Sequence, residues 1–202
     1  NQGCREQRVL LCSPEHLPIP WKQHRWMLSQ AKHIPKQGCL LHIHYLQEAY
    51  LFRLIPLFSF KSNEKQTMRK CYAIDPAFIT NHEDFLQTPN LGWRLENVVA
   101  VELMRRMNSE IEQLFYLRKH KSFEIDFVRT KMGHVEELIQ VTYNFQDPAT
   151  KLYNREIGGL IKGAALTKCK KLTLIMMMGE ERVIEQDNCT INCVLAVNWL
   201  NH

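Results

Sequence analysis

Two acidic side chains stand where acids are costly. Glu96 lies in GWRLENVVAVELMRRM, and on a helix it shares a face with Val99, Ala100 and Leu103. A carboxylate in such an apolar stripe needs a partner, because an unpaired buried charge is strongly unfavourable. A metal ion, an arginine or the start of its own helix could supply one. Asp126 lies in the middle of EIDFV, within FEIDFVRTKMGHVEELIQVTYNF, which reads as two strands joined by a tight turn. Strand alternation places Phe123, Ile125 and Phe127 on one face, with Glu124, Asp126 and Val128 on the other. Aspartate disfavours a strand interior, so something must hold it there. In the next apolar stretch, ELIQVTYNF, Leu138, Gln140 and Thr142 share a face. If the two strands pair, Asp126 approaches Gln140 and Thr142 across the sheet.

The chemistry open to such a set is metal-dependent phosphodiester hydrolysis. Carboxylate oxygens hold a magnesium ion. The ion activates water and stabilises the charged phosphate, and a lysine orients or deprotonates that water. A helix glutamate, a strand aspartate and a second strand carrying acid-x-lysine form the pattern of the PD-(D/E)xK nucleases, which this chain resembles through Glu96 and Asp126. At the acid-x-lysine position it carries Gln140-Val141-Thr142 instead. A glutamine carbonyl is a weaker ligand than a carboxylate, and threonine supplies no ammonium charge. Activity would therefore need a relocated lysine, for which Lys121 and Lys131 are the candidates.

A more extended resemblance covers about His44 to Leu200. It is carried by YLQEAYLFRLIPLFSFK, KCYAIDPAF, LENVVAVELMRR, EIDFV, ELIQVTYNFQDPATKLYNREI and the closing VNWL, in that order. In this set the chain is similar to the C-terminal nuclease-like domain, of unknown function, of prokaryotic AAA+-type ATPases. The resemblance implies an α/β fold with a restriction-endonuclease-like core over residues 61–202. A poorly matched segment and winged-helix remnant would fill residues 1–60. It also implies a protein that works beside an ATPase module, and the cysteine usage reads as cytoplasmic. No GxxxxGK[ST] loop occurs in this chain, so ATP hydrolysis is not carried over. The chain opens on Asn1 and reads as the C-terminal piece of a longer protein or as a truncated product.

Positioning these residues requires a framework that the patterns supply in outline. The chain has 202 residues, 45% of them hydrophobic, enough to bury a core. GWRLENVVAVELMRRM is the clearest helix. EQLFYLRKH and the two following stretches read as three strands. DPATKLYNREIGGLIKGAAL reads as a loop and a helix, KKLTLIMMMG as a strand covered on both faces, and CTINCVLAVNWL as a strand and a short helix. Earlier, RLIPLFSF and KCYAI read as extended, and NHEDFLQTPN as a loop or short helix. KQGCLLHIHYLQEAYLFRLI puts Leu40, Ile43, Leu46 and Tyr50 at helical spacing. Residues 36–48 could form the recognition helix of a winged-helix unit, although Tyr45, Leu46 and Tyr50 look like packing residues.

Charge and cysteine content narrow the partners. The net charge of +5 permits nucleic-acid contact without demanding it. Arg118, Lys119, His120 and Lys121 lie just before the Asp126 strand and Arg129 and Lys131 just after it, a set that could touch DNA phosphates. The plainer reading, which we prefer, is a solvated turn that protects a sheet edge. Seven cysteines without a CxxC read as free thiols of a reducing compartment. Cys39, His42 and His44, or Cys189 and Cys193, lack a partner pair at zinc-site spacing. No apolar run reaches membrane-spanning length, and the start, NQGCREQRVLL, does not read as a secretory signal. Three functions fit. The preferred one is a non-catalytic nuclease-like module that binds nucleic acid or a protein partner. The alternatives are an active magnesium-dependent nuclease using Glu96 and Asp126, and an oligomerisation or ATPase-docking domain.

Overall fold

The computed structural model describes residues 45, 47–59, 69–75, 91–145 and 151–201. The winged-helix expectation, the Cys39, His42 and His44 set and NHEDFLQTPN fall mostly or wholly outside them. Of the packing residues expected there, Tyr45 and Tyr50 are exposed, and Arg53 lies over the Tyr50 ring at 4.9 Å.

The chain forms a mixed α/β body around a six-stranded sheet. A two-stranded antiparallel sheet comes first, with β1 (Phe52–Pro56) paired to β2 (Arg69–Ala73). The expected boundary between residues 60 and 61 therefore falls between two strands that pair with each other. Helix α1 (Leu91–Arg106) follows, then β3 (Glu112–Lys119), β4 (Phe123–Lys131) and β5 (His134–Phe145) as an antiparallel meander. Helix α2 (Lys151–Thr167) crosses to β6 (Leu172–Gly179), which lies parallel to β5. β7 (Arg182–Gln186), β8 (Cys189–Leu195) and α3 (Ala196–Leu200) complete the order β3-β4-β5-β6-β8-β7.

The turns explain the hairpins. Met132 and Gly133 have φ of 49° and 81°, and Asp187 and Asn188 have 50° and 58°. Two consecutive positive φ values give the type I′ twist that a two-residue hairpin favours. The Asp187-Asn188 turn makes RVIEQ a strand of its own, which the apolar pattern alone did not separate.

The sheet is covered on both faces. Ile157, Leu160 and Ala164 of α2 pack with Ile125, Val128, Leu138, Leu172, Leu174 and Met176. On the opposite face, Leu95, Val99, Ala100 and Leu103 of α1 pack with Tyr72, Phe127, Ile139 and Ile175. The expected common face for Ile125 and Phe127 is thus corrected. Phe115 pairs with Val128 but Leu117 pairs with Ile125, so Asp126 and Phe127 together oppose Tyr116. This β-bulge resets the alternation, sending Ile125 toward α2 and Phe127 toward α1.

Two glycines of α2 differ in what surrounds them. A Cβ on Gly163 would lie 3.1 Å from Leu138 and 3.2 Å from Ile125, whereas one on Gly158 would meet nothing within 4 Å. Gly163→Val is expected to cost about 1–3 kcal/mol by overpacking. Gly158→Ala should stabilise by up to about 1 kcal/mol through helix propensity. Urea unfolding of the two variants checks both signs.

Candidate functional site

The site begins with how β2 is held. Asn97 is fully buried on α1, and it clamps the end of β2 by its backbone. Its Nδ2 donates to the Ala73 carbonyl and its Oδ1 accepts from the Ala73 N–H, each at 2.9 Å. Both backbone groups of Ala73 are satisfied by one side chain, which fixes the strand against the helix. Alternation along β2 then turns Lys70 and Tyr72 inward together, both buried. Glu96, one residue before Asn97, accepts from the Tyr72 hydroxyl at 2.6 Å and from Lys70 Nζ at 3.0 Å.

Lys70 is the centre of the arrangement. Its ammonium also reaches Asp126 Oδ1 at 3.2 Å and Glu124 Oε1 at 2.9 Å, and lies 5.5 Å from the Tyr116 ring centroid. The side chains of Lys70, Asp126 and Glu96 are 7%, 10% and 14% exposed, so the pairings form largely out of water. Burial lowers the Lys70 pKa, but Asp126, Glu96, Tyr72 and Glu124 outweigh it and hold the value well above that of an ordinary lysine. The Asp126 carboxyl is raised to about 7 by burial and by Glu96, against the opposing pull of Lys70 and the Val141 N–H. Burial and the negative charge of Glu96 likewise push the Tyr72 phenol upward.

The bulge that turns Asp126 inward also splits the sheet. Pairing of β4 with β5 runs from Lys131 and His134 to Phe127 and Ile139, and stops there. Beyond that point side chains replace the ladder. Asp126 Oδ2 accepts from the Val141 N–H at 3.0 Å, and the Asp126 N–H donates to Gln140 Oε1 at 3.4 Å. Gln140 Nε2 in turn donates to Glu156 Oε2 at 2.5 Å, and Glu156, buried on α2, is ion-paired to Arg155. A polar seam therefore crosses the sheet from Glu96 and Lys70 through Asp126 and Gln140 to Glu156 and Arg155. On the α2 side it opens into a cleft of about 420 Å³ between Ser122, Phe123 and Glu124 on one wall and Asn154, Arg155, Gly158 and Lys162 on the other.

The sequence-derived candidates meet different fates. Glu96 and Asp126 share one cation. Gln140 joins them through the Asp126 backbone rather than as a ligand. Thr142 stays apart, donating to the Asn144 carbonyl at 3.5 Å. Glu96 is satisfied by a lysine and a tyrosine, not by an arginine or a helix end. The lysine at the acids is Lys70, not Lys121 or Lys131. Of the basic set, Lys119, His120 and Lys121 are exposed at the β3–β4 turn. Arg118 lies 3.6 Å from Glu124. Arg129 is engaged by Glu136 at 3.5 Å and Glu137 at 3.4 Å. Lys131 is exposed at the far end of β4, about 25 Å from Phe123 at ~3.3 Å per residue. One phosphate surface at this turn therefore does not include Arg129 and Lys131.

These residues do not fit a magnesium ion shared by Glu96 and Asp126. The Lys70 ammonium lies within hydrogen-bonding distance of both acids, and both polar ends of Gln140 are engaged. Among the described residues no three His, Cys, Asp or Glu side chains are grouped to hold a metal. Cys71, Cys169, Cys189 and Cys193 are free thiols. No described helix is long and apolar enough to cross a membrane.

No family model and no solved structure matches the chain. Among curated proteins it is similar to the uncharacterized protein MJ1544 of Methanocaldococcus jannaschii, with 37% identity over 106 residues. The match covers 52% of this chain and 22% of that relative.

Removing one partner of a buried ion pair strands the other charge. Lys70→Met at pH 8 is expected to lose about 3–5 kcal/mol of stability, and adding Glu96→Gln and Asp126→Asn should recover more than half of it. Urea unfolding measures both. A second expectation concerns pH. Asp126 titrates near 7 when folded and near ~3.9 when unfolded. Between these values the folded state holds a proton that the unfolded chain has released, so stability falls as pH rises. The wild type should lose stability relative to Asp126→Asn from pH 4 to 7, by at most about 1.4 kcal/mol per unit.

Proposed function

We propose that the chain is a degenerate nuclease-like module, a restriction-endonuclease-like core that binds without cutting. The observation that carries this reading is the Lys70 ammonium seated between Glu96 and Asp126, at 3.0 and 3.2 Å. A helix acid on α1, a strand acid on β4 and the neighbouring strand β5 lie in the order that the PD-(D/E)xK pattern requires. The charge that a divalent ion would supply there comes from the chain itself. Gln140, in place of the expected acid, donates to Glu156 and so serves the seam rather than a metal. A lysine is a fixed single charge without open coordination positions, so it can neither activate water nor bridge to a phosphate as a metal does.

The exposed Lys119 and Lys121 beside the cleft suit nucleic acid as the partner. The match to a fraction of a longer archaeal protein fits a module that works joined to other domains, with an AAA+-type ATPase as the family resemblance suggests. A second reading has Lys70 in its favour too: an active nuclease in which this lysine takes the role expected of Lys121 or Lys131. It requires a metal ion to displace the ammonium from both acids.

Cleavage assays separate the two. Wild type, Asp126→Asn and Asp126→Ala are incubated with single-stranded, duplex and branched DNA in magnesium or manganese. The expected result is no cleavage by any of the three. Cleavage by folded wild type that disappears in Asp126→Asn establishes the active nuclease instead.

A further inference from the structure

We propose that the cleft between the β3–β4 turn and α2 receives a single strand of nucleic acid, held by its phosphates along α2. This inference rests on the binding-module reading above and names where and what it binds. The cleft has one wall of Ser122, Phe123 and Glu124, and one of Asn154, Arg155, Gly158 and Lys162. Arg155 and Lys162 are exposed on the same side of α2, seven residues apart, which is two turns and about 10 Å along the axis. Between them stands Gly158, where a side chain would meet no neighbour, so its absence keeps the wall low and lets a ligand backbone approach the helix.

The charge balance leaves Lys162, Lys119 and Lys121 as the available cations at the rim, with Arg155 shared with Glu156. Glu124 is held by Lys70 and Arg118, Glu156 by Arg155 and Gln140, and Asp126 by Lys70 and the Val141 N–H. Among the described residues Lys162 takes part in no ion pair, and Lys119 and Lys121 extend the positive rim on the opposite wall. The partly buried Phe123 ring offers an apolar surface in that wall against which a base can pack. The cleft holds about 420 Å³, and an unstacked base of a single strand, unlike one stacked within a duplex, is free to enter it and pack on Phe123.

The test is fluorescence anisotropy of the full chain with labelled single-stranded DNA, using duplex DNA and polyglutamate as competitors. The variants are Gly158→Gln, which fills the cleft without touching the core, and Lys162→Gln, which removes an exposed charge. Circular dichroism and urea unfolding confirm that both fold. We expect single-strand binding, weakened roughly tenfold by Gly158→Gln. Lys162→Gln should lower the slope of log affinity against log salt by about one. Unchanged binding by both variants overturns the cleft assignment and leaves the non-cutting module standing. So does equal competition by polyglutamate, which marks a generic anionic preference, or preference for duplex. Absence of binding to single-stranded DNA overturns the assignment as well. Cleavage of the probe refutes the non-cutting reading rather than this one.

Discussion

A buried ammonium ringed by three carboxylates is the constraint from which the rest of the site follows. Removing either charge from water is costly, and the cost is offset only when each partner is close and its remaining polar atoms are satisfied. Here β2 delivers Lys70, α1 delivers Glu96, and the bulged strand β4 delivers Glu124 and Asp126. Three elements distant in the chain meet at one Nζ, so the two-stranded sheet is bound to the larger body through charge as well as apolar packing. Asn97 makes the approach possible by taking both backbone groups of Ala73. The neighbouring residues Glu96 and Asn97 thus divide the work, one holding side chains and the other backbone.

The bulge at Asp126 links this ion cluster to the architecture of the sheet. An extra residue opposite Tyr116 turns Asp126 inward and ends the pairing of β4 with β5 near Phe127. An opened ladder leaves backbone donors that must find acceptors. The Asp126 carboxylate and the Gln140 amide take that role, and Glu156 then balances the free end of Gln140. The cleft is the space left where two strands diverge. Its polar floor is needed for the fold, independently of any ligand.

Much of the framework was legible in the residues. The apolar stripe of Val99, Ala100 and Leu103 set the inward face of α1, and the continuous run LTLIM marked a strand covered on both sides. The two costly acids, Glu96 and Asp126, pointed to one site because unpaired acids rarely occupy such positions. What failed had local causes. Period-two alternation carries no signal for a bulge, so it puts Phe127 on the face of Ile125 rather than the face toward α1. Lys70 opens the extended stretch KCYAI directly after the polar SNEKQTMR, so nothing before it marks it as a buried cation. Its one clue was that it shares a strand face with Tyr72, which is buried. Asn97 carries no sequence signal of its role, since nothing in its neighbourhood announces a strand backbone 24 residues upstream. Gln140 reads both as a weakened metal ligand and as a cross-strand neighbour of Asp126, and only the second holds; its other partner, Glu156, lies on a different element and leaves no trace in the local pattern.

The account stands or falls on whether Lys70 holds the position between the acids as a stable, charged group. Nitrogen-15 NMR of the lysine ammonium groups observes it directly. The account predicts one protected Nζ resonance, absent in Lys70→Met and unmoved when millimolar magnesium is added. A Lys70 ammonium in fast exchange with water, or one that shifts as magnesium displaces it from Glu96 and Asp126, would contradict the account and return the site to metal chemistry.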